Sequence, residues 1–409
     1  MPSSGHGLFW FWGAQGHRKV ENIWALVYST IVVFSQIQGG CSAVKKFLVV
    51  LLALALVLPL AACNKDTDPD PGQEDKYELA LVTDIGTIDD KSFNQGAWEG
   101  LKKYAEEKNI TYKYYQPAEK TTAAYLDSID LAVKGGAKLI VCPGFLFEPA
   151  VFEAQDLYPD TKFIILDGSP NDGDWEKEGG PTYRIESNVY SVFYAEEQAG
   201  FLAGYAAVKD GYKKLGFMGG MAVPAVVRFG YGFVQGAEYA AKEMGISDIE
   251  IMYHYTGTFE ASPEAKTLAA GWYEAGTEVI FACGGAVGNS VMSAAEEADK
   301  AVIGVDVDQS NESRTVITSS MKMLSISVYD GIEAFYGGTF PGGQSVTLDA
   351  KVDGIGLPME TSKFKTFTQE DYDAIYAKLV AGEIDILKDT DKTDASDITL
   401  TVTKVTFVE

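Results

Sequence analysis

The amino-acid sequence predicts an α/β protein with two doubly wound, parallel-sheet lobes and a hinge and ligand cleft between them. Short β-rich apolar runs alternate with segments of helical spacing through most of the chain. This alternation is typical of parallel sheets covered by helices on both faces. It occurs as two successive series, and the chain from residue 77 onward is too long for one ordinary domain. We therefore expect two similar lobes.

Ten apolar runs mark the expected strands, and several are apolar throughout, as strands buried on both faces must be. The first series is 79–83, 112–115, 139–142, 163–166 and 183–185, and the second is 215–218, 249–255, 279–282, 302–305 and 315–318. We expect residues 77–187 with 313–343 to form the N-terminal lobe. Residues 188–312 with 344–409 should form the C-terminal lobe, with 352–357 as a further crossing segment.

Helical spacing is legible between these runs. The expected helix faces comprise Phe93, Ala97, Leu101 and Tyr104, and then Tyr125, Ile129, Ala132 and Val133. A long helix is expected over 190–208. Gly200 and Gly204 lie four residues apart on it, a spacing that favours close packing against another helix.

A secretory signal precedes this body. Lys45 and Lys46 are followed by 14 apolar residues (47–60) and then by Ala61-Ala62-Cys63. The basic start, the apolar run too short for a permanent membrane helix and the small-residue cleavage site are typical of a signal peptide. Because a cysteine follows directly, the site resembles a bacterial lipobox. We expect lipidation of Cys63 with chains such as palmitate; the alternative is an ordinary signal with a chance cysteine.

The segments on either side of the signal (44–62) differ in character. Residues 63–76 are rich in Asp and Pro and are expected to form an acidic, flexible tether. Residues 1–43 precede the signal and show no organised pattern, so we interpret them as an upstream extension, with the natural start at Val44. The alternative is a genuine additional segment or a second anchor. The expected location is the cell membrane, lipid-anchored on the extracytoplasmic side.

The body that begins at Cys63 is strongly acidic. Its 347 residues carry 29 basic and 57 acidic side chains, a net charge near −28. Such a charge repels nucleic acid, which excludes DNA binding as the expected function. We expect a monomeric body.

The sequence offers no recognisable metal or cofactor site. Cys142 and Cys283 lie in apolar runs of different halves, where buried thiols are favoured over a disulfide. With His254 as the one further candidate, no zinc site is expected. The cluster Asp389, Asp391, Asp394 and Asp397 lacks the central Gly and terminal Glu of a calcium loop, and we interpret it as a solvated acidic turn.

Residues that follow the expected strands are candidate ligand contacts, because ligands bind beyond the carboxyl ends of open parallel sheets. These positions hold Asp84, Gly144, Phe145, Asp167, Gly284, Gly285, Asp306 and Lys322. Carboxylates facing a cleft accept hydrogen bonds from hydroxyl and N–H groups and repel phosphates. The set favours a neutral, hydroxyl-rich ligand with an aromatic part.

Several candidates also have structural interpretations. Asp90 and Ser92 precede a helical segment, where capping is favoured over ligand contact. Phe93 could equally belong to the core. Gly284 and Gly285 could bind phosphate near a helix N-terminus, but the Gly-x-Gly-x-x-Gly pattern is absent.

Several motifs resemble the basic membrane protein family of ABC transporter substrate-binding lipoproteins, which includes purine nucleoside receptors. The motifs occur in the family's order from residue 77 onward. They are Thr83-Asp84-Ile85-Gly86, Asp90-Lys91-Ser92-Phe93-Asn94-Gln95, Phe201-Leu202-Ala203-Gly204, Arg228-Phe229-Gly230-Tyr231-Gly232, Gly304-Val305-Asp306-Val307-Asp308-Gln309 and Ser320-Met321-Lys322.

The resemblance implies a type I periplasmic-binding-protein fold that holds a nucleoside, with purine favoured, between its lobes for import by an ABC transporter permease. It implies base stacking on Phe93 and Phe229. It further implies base contacts from Asp84, Asp167 and Asn94, ribose contacts from Asp306 and Lys322, and backbone contacts from Gly284 or Gly285.

Other functions remain open at this point. Riboflavin also has a flat ring and hydroxyl groups, and a sugar or amide-type solute could occupy the same scaffold. A sensory binding protein is a further alternative. Paired carboxylates could cleave a glycosidic bond, but the sequence has no Gly-x-Ser-x-Gly elbow, His-Glu-x-x-His motif or Cys–His pairing candidate. We therefore expect a binding protein and not an enzyme.

Overall fold

The structure, a computed structural model, describes residues 76–408 except Ile85 and Asp391. The strands are β1 (Leu79–Val82), β2 (Tyr112–Tyr115), β3 (Leu139–Pro143), β4 (Lys162–Leu166), β5 (Val189–Tyr194), β6 (Lys214–Gly219), β7 (Ile249–Tyr255), β8 (Val279–Cys283), β9 (Ala301–Asp306), β10 (Val316–Lys322), β11 (Gln344–Leu348), β12 (Ile355–Gly356) and β13 (Thr403–Phe407). The helices are α1 (Phe93–Lys108), α2 (Thr122–Lys134), α3 (Glu148–Leu157), α4 (Glu196–Lys209), α5 (Pro224–Met244), α6 (Pro263–Glu274), α7 (Val287–Ala298), α8 (Leu324–Tyr336) and α9 (Gln369–Ala381).

The segments expected at 1–43 and 44–62, the lipidation site Cys63 and all of the tether except Lys76 lie outside the described residues. Within the described part of the chain, no helix is long and apolar enough to cross a membrane.

Two sheets form the framework of two lobes. The first has the strand order β11-β5-β4-β3-β1-β2 and the second β12-β10-β9-β8-β6-β7-β13. Neighbouring strands run parallel except β10 and β12, which are antiparallel. Every residue of β1, β3, β8 and β9 is buried, as expected of strands with helices on both faces. The predicted α/β class with two parallel-sheet lobes is confirmed.

The chain passes between the two sheets three times. It leaves the first sheet after β5, returns between β10 and β11, and leaves again between β11 and β12. These crossings form a hinge of several strands.

Two expected elements are corrected by the structure. The strand expected at 183–185 is absent; Tyr183 makes only an isolated bridge to Asn171, and Arg184 instead pairs with Asp156 and Glu186 at the surface. The adjoining strand is β5, which lies where the sequence predicted the start of a long helix. Four of the six residues of β5 are buried, and the strand pairs with both β4 and β11, so this segment completes the sheet and does not start the helix.

The lobe boundaries expected around residue 313 also change. The sequence placed β10 with the first lobe, but β10 pairs with β9 in the second sheet, where the small side chain of Ser319 lies against Gly304. Conversely, β11 pairs with β5 in the first sheet, although its residues were assigned to the second lobe. Helix α8, between these strands, packs on α1 of the first lobe.

Helices α4 and α5 pack backbone to backbone. A Cβ atom added at Gly200 would lie 2.1 Å from the carbonyl oxygen of Phe229, and one at Gly232 would lie 2.0 Å from that of Glu197. Gly204 and Gly236 make the same kind of approach farther along the helices. The close packing predicted from Gly200 and Gly204 is confirmed, and it brings the N-terminal turns of the two helices together beside the cleft.

A C-terminal strap, which we define as residues 386–402, runs over α5. Gln235 exchanges hydrogen bonds with the backbone of Leu387. Arg228 donates to Asp389 over 2.6 Å, and the Tyr231 hydroxyl donates to Asp397 over 2.5 Å. Asp389 and Asp397 are both exposed, in agreement with the solvated turn expected of the acidic segment, and they also attach the strap to the helix.

Candidate ligand-binding site

A cavity of about 350 Å³ lies between the carboxyl ends of the strands of both sheets. Two of its carboxylates sit where strands end in the left-handed backbone region, Asp167 after β4 with φ 53° and Asp306 at the end of β9 with φ 67°. This conformation is unfavourable for most residues and more accessible to Asp and Asn. The strained strand ends turn both carboxylates toward the same space.

The structure places all nine predicted site residues on this cavity. They are Asp84, Phe93, Asn94 and Asp167 from the first lobe and Phe229, Gly284, Gly285, Asp306 and Lys322 from the second. Residues as far apart in the chain as Asp84 and Asp306 thus lie on one cavity. This was predicted from their positions at the carboxyl ends of parallel strands. That they contact a ligand stays a prediction.

Lys322 is the positive centre of the cavity wall. Its side chain is 2% exposed, and its Nζ lies 2.6 Å from Asp167 Oδ2 and 3.5 Å from Asp306 Oδ1. Burial opposes the charge, but the carboxylates Asp167, Asp306 and Glu196 outweigh burial and raise the pKa of Lys322 well above its usual range. These neighbouring carboxylates therefore favour the protonated form of Lys322.

The two strand-end carboxylates keep capacity for further hydrogen bonds. Asp167 Oδ1 is buried and has no hydrogen-bond partner among the described residues. Asp306 accepts from the Ser92 hydroxyl, and burial raises the pKa of Asp306 while Lys322 lowers it. A buried, unsatisfied carboxylate oxygen is costly, so a ligand donor placed here would be favoured.

Aromatic faces surround the Lys322 ammonium. Its Nζ lies 4.5 Å from the ring centre of Phe93 and 5.4 Å from that of Phe229. Phe229 is only 1% exposed and packs its edge on Phe281, so little of its ring is offered to a ligand. Phe145 and Phe259 also line the cavity and are half-buried. Phe93, Phe145 and Phe259 therefore expose more of their rings to the cavity than Phe229 does.

Phe259 lies in a loop and carries no periodicity that the sequence could reveal. Phe145 follows Gly144, whose φ of 116° turns the chain at the end of β3. Phe145 is among the residues that follow the expected strands in the sequence, but the family resemblance assigns it no role.

A second polar group lies at the start of α1. The Asn94 side-chain amide donates to Asp84 over 2.9 Å and to Asp90 over 3.0 Å. Asp90 also accepts the backbone N–H groups of Ser92, Asn94 and Gln95, so its predicted capping role is confirmed. Burial raises the pKa of Asp90 against these hydrogen bonds. Ser92 makes no side-chain capping bond; its hydroxyl is instead committed to Asp306.

The glycine pair that precedes α7 forms a tight turn at the cavity wall. A Cβ atom at Gly284 would lie 2.6 Å from the backbone nitrogen of Gly220, and Gly285 has φ 56°. Both requirements explain why glycine occupies these positions. The turn presents backbone groups to the cavity.

Sequence reasoning missed Glu196. Its side chain is fully buried between Lys322 and Arg228, with Oε1 3.7 Å from Lys322 Nζ and Oε2 3.5 Å from Arg228 Nη1. Glu196 and Glu197 open α4, where acidic residues ordinarily indicate only a favourable helix end. Cys142 and Cys283 are free and buried, as predicted, and Cys283 lines the cavity.

Two α/β lobes joined by a multi-strand hinge, with a cavity at facing strand ends, form the architecture of the periplasmic-binding type. Residues 77–390 match the model of the Bmp family, described as ABC transporter substrate-binding protein PnrA-like. The chain belongs to this family.

Similar proteins agree with this assignment. The chain is 34% identical over 341 residues, 77% of its length and 92% of the relative's, to the ABC transporter nucleoside-binding protein BmpA of Lactococcus lactis. It is 29% identical over 330 residues to basic membrane protein D of Borreliella burgdorferi, covering 79% of this chain and 88% of that one. An ABC transporter solute-binding protein structure from Aeropyrum pernix superposes with a TM-score of 0.66 at 24% identity, covering 77% and 94% of the two chains. This last likeness shows the fold.

Proposed function

We propose that this protein binds nucleosides, with purine nucleosides favoured, and delivers them to an ABC transporter permease for import. The observation that carries the proposal is the pairing, in one cavity, of an aromatic face at Phe93 with the charged group formed by Lys322, Asp167 and Asp306. The L. lactis relative, named as nucleoside-binding, supports the same ligand class.

The charged group suits a ribose diol. A carboxylate that accepts hydroxyl hydrogen bonds makes charge-assisted contacts, which are stronger than neutral ones. Lys322 can donate to a hydroxyl or ring oxygen of the same sugar. Asp306 and Lys322 are adjacent in space through β9 and β10, so one sugar can contact both.

The aromatic side of the cavity suits a base. Stacking of a base on an aromatic side chain contributes about 1–3 kcal/mol. Asp84 and Asn94 line the cavity together with Phe93, and their side-chain oxygens can accept hydrogen bonds from the N–H groups of a stacked base.

The charge balance disfavours phosphorylated ligands. Among the described residues, the cavity is lined by five acidic side chains and one cationic side chain, Lys322. The acidic residues are Asp84, Asp90, Asp167, Asp306 and Glu260. A phosphate group would be placed among carboxylates and would lose its hydration without an equivalent cationic partner. We infer that the ligand is a nucleoside and not a nucleotide.

We further propose that Cys63 is acylated and holds a monomeric body at the outer face of the cell membrane. Stable anchoring needs more than one acyl chain, which a lipoprotein-type modification supplies. Metabolic labelling with a palmitate analogue tests this, since the label should be lost in Cys63→Ser and retained in Cys142→Ser. Labelling of both variants would contradict the proposal.

The ligand class is tested with purified protein that lacks residues 1–63. Mass spectrometry of the ligand released on denaturation separates purine, pyrimidine, flavin and sugar. Isothermal titration calorimetry with adenosine, guanosine, inosine, cytidine, riboflavin and ribose then ranks affinities, and we expect the purine nucleosides to bind most tightly. Riboflavin binding without nucleoside binding would contradict the proposal, and release of free base from a bound nucleoside would indicate a nucleosidase.

A further inference from the structure

The Glu196 carboxyl group occupies an unusual position behind the cavity wall. It is 0% exposed, and neither of its oxygens has a hydrogen-bond partner within the described chain. The nearest cations, Lys322 and Arg228, lie 3.7 and 3.5 Å away, longer than the N–H···O distances of ordinary hydrogen bonds. A buried carboxylate is stable only when it is paired and well hydrogen-bonded. Burial and the missing hydrogen bonds therefore oppose ionisation of Glu196, while the two neighbouring cations favour it.

Glu196 stands in a row of alternating charges that leads from the surface to the cavity. Asp389 of the C-terminal strap pairs with Arg228 over 2.6 Å, and Arg228 faces Glu196. Beyond Glu196 comes Lys322, which pairs with Asp167 over 2.6 Å. Since Arg228 is held by Asp389 on its other side, a change of charge at Glu196 acts chiefly on Lys322.

Resting on the proposed function, we propose that Glu196 is a positioning residue for Lys322. When protonated, Glu196 leaves the ammonium group to the two cavity carboxylates, where it can contact the ligand. When ionised, it competes for the ammonium group from behind the wall and weakens that contact.

Glu196 and the titratable groups packed around it differ in the direction and size of their pKa shifts. Of these groups, we expect Glu196 to change charge just above neutral pH. Those facing it are Lys322 of β10, Arg228 of α5, Asp167 after β4, Tyr194 of β5, Cys283 of β8 and its neighbour Glu197. Burial and then repulsion from Asp167 raise the pKa of Glu196 to about 8, although Lys322 and Arg228 lower it. Burial raises the pKa values of Tyr194 and Cys283 well above their usual ranges, so both stay neutral through pH 9.

The expected consequence is an alkaline loss of affinity. If the protonated form binds and the ionised form does not, one pH unit above a pKa near 8 lowers affinity about tenfold. Wild-type protein should therefore bind adenosine, whose base does not ionise in this range, about tenfold more weakly at pH 9 than at pH 7. In Glu196→Gln, which cannot ionise, affinity should change by about twofold or less over the same interval.

Isothermal titration calorimetry with adenosine from pH 6.5 to 9.5 tests the proposal on wild type, E196Q and the matched control E197Q. Glu197 is the adjacent buried residue of the same helix and pairs with Lys388 of the strap. Because its charge helps to raise the pKa of Glu196, E197Q should keep the alkaline loss of affinity and move it to lower pH. Equal pH profiles for wild type and E196Q would overturn the positioning role while leaving nucleoside binding intact. Failure of every nucleoside to bind wild type at pH 6.5 would instead refute the proposed function.

A second measurement covers the case in which E196Q does not fold. Wild-type titrations at pH 8.5 in two buffers of different ionisation enthalpy report protons taken up on binding. Binding that selects protonated Glu196 must take up protons at this pH, since part of the free protein is ionised there. No proton uptake would overturn the proposal.

Discussion

Replacing Asp306 by Asn should weaken nucleoside binding without unfolding the protein. Asn is the appropriate substitution because Asp306 has φ 67°, a conformation that Asn tolerates better than Ala does. The change keeps the shape of the side chain and removes its charge. A hydrogen bond to a charged group contributes about 1.5–3 kcal/mol and a neutral one about 0.5–1.5 kcal/mol. In the proposed complex, the Asp306 carboxylate accepts hydrogen bonds from the two hydroxyls of the ribose diol. Removing the charge from both bonds should weaken the binding free energy by about 2–3 kcal/mol, or about 30- to 150-fold in affinity.

The assay pairs the protein change with a ligand change. Adenosine and 2′,3′-dideoxyadenosine are titrated by calorimetry into wild type and Asp306→Asn, and the coupling energy is taken from the four affinities. The dideoxy ligand should bind wild type far more weakly than adenosine, and this difference should shrink in the variant. Asp308→Asn is the control, because Asp308 bonds to Ser310 and Thr361 and does not line the cavity. If adenosine and 2′,3′-dideoxyadenosine differ in affinity by as much in Asp306→Asn as in wild type, the assignment of Asp306 to the ribose is refuted.

Further perturbations test the base contact, the charge balance, the helix packing and the buried acid. Phe93→Ala should weaken adenosine binding by about 1–3 kcal/mol in calorimetry, whereas Tyr114→Ala, an exposed ring on β2, should have no effect; equal affinities would remove Phe93 from the site. Adenosine monophosphate should fail to compete with adenosine at equal concentration, and effective competition would show that the cavity carboxylates do not exclude phosphate. Gly232→Ala should destabilise the fold by about 1–3 kcal/mol through overpacking, seen as a lower Tm, while Gly271→Ala, whose Cβ would meet nothing within 4 Å, should not; a normal Tm for Gly232→Ala would contradict the close helix packing. Because burial raises the pKa of Glu196 from 4.5 to about 8, its contribution to stability is fully present below pH 4.5 and is lost as pH rises toward 8. The Tm of Glu196→Gln relative to wild type should therefore rise from pH 5 to pH 8 in scanning calorimetry, and a constant difference would contradict the raised pKa.

The fold could be predicted where burial forces a pattern on the sequence. Strands β3, β8 and β9 are covered on both faces, so each is a continuous apolar run whose ends were predicted to within one residue. Edge strands β11 and β13 are mostly exposed or half-buried and rich in polar residues, and nothing in their sequences requires a strand. Their pairing depends on partners distant in the chain.

The site was predictable for a related reason. Parallel strands must deliver their carboxyl ends to one edge, so strand-end residues such as Asp167 and Asp306 could be grouped without knowing the tertiary structure. Glu196 could not be found this way, because its partners Arg228 and Lys322 are set by the contacts of α4 with α5 and β10. Seen locally, it is an acidic residue in the first turn of a helix, a position that is usually exposed.

The side chains that should bind the ligand also make contacts between the two lobes. Ligand binding is therefore coupled to the approach of the lobes. Lys322 of the second lobe pairs with Asp167 of the first, and Asp306 accepts from Ser92 across the same boundary. With Glu196 protonated, two carboxylates face one ammonium, so bringing the lobes together concentrates excess negative charge at buried side chains. A neutral ligand with hydroxyl donors relieves this excess by hydrogen bonding, notably at the unpartnered Asp167 Oδ1. An anionic ligand adds to it, so the interactions that stabilise the closed arrangement also select the ligand.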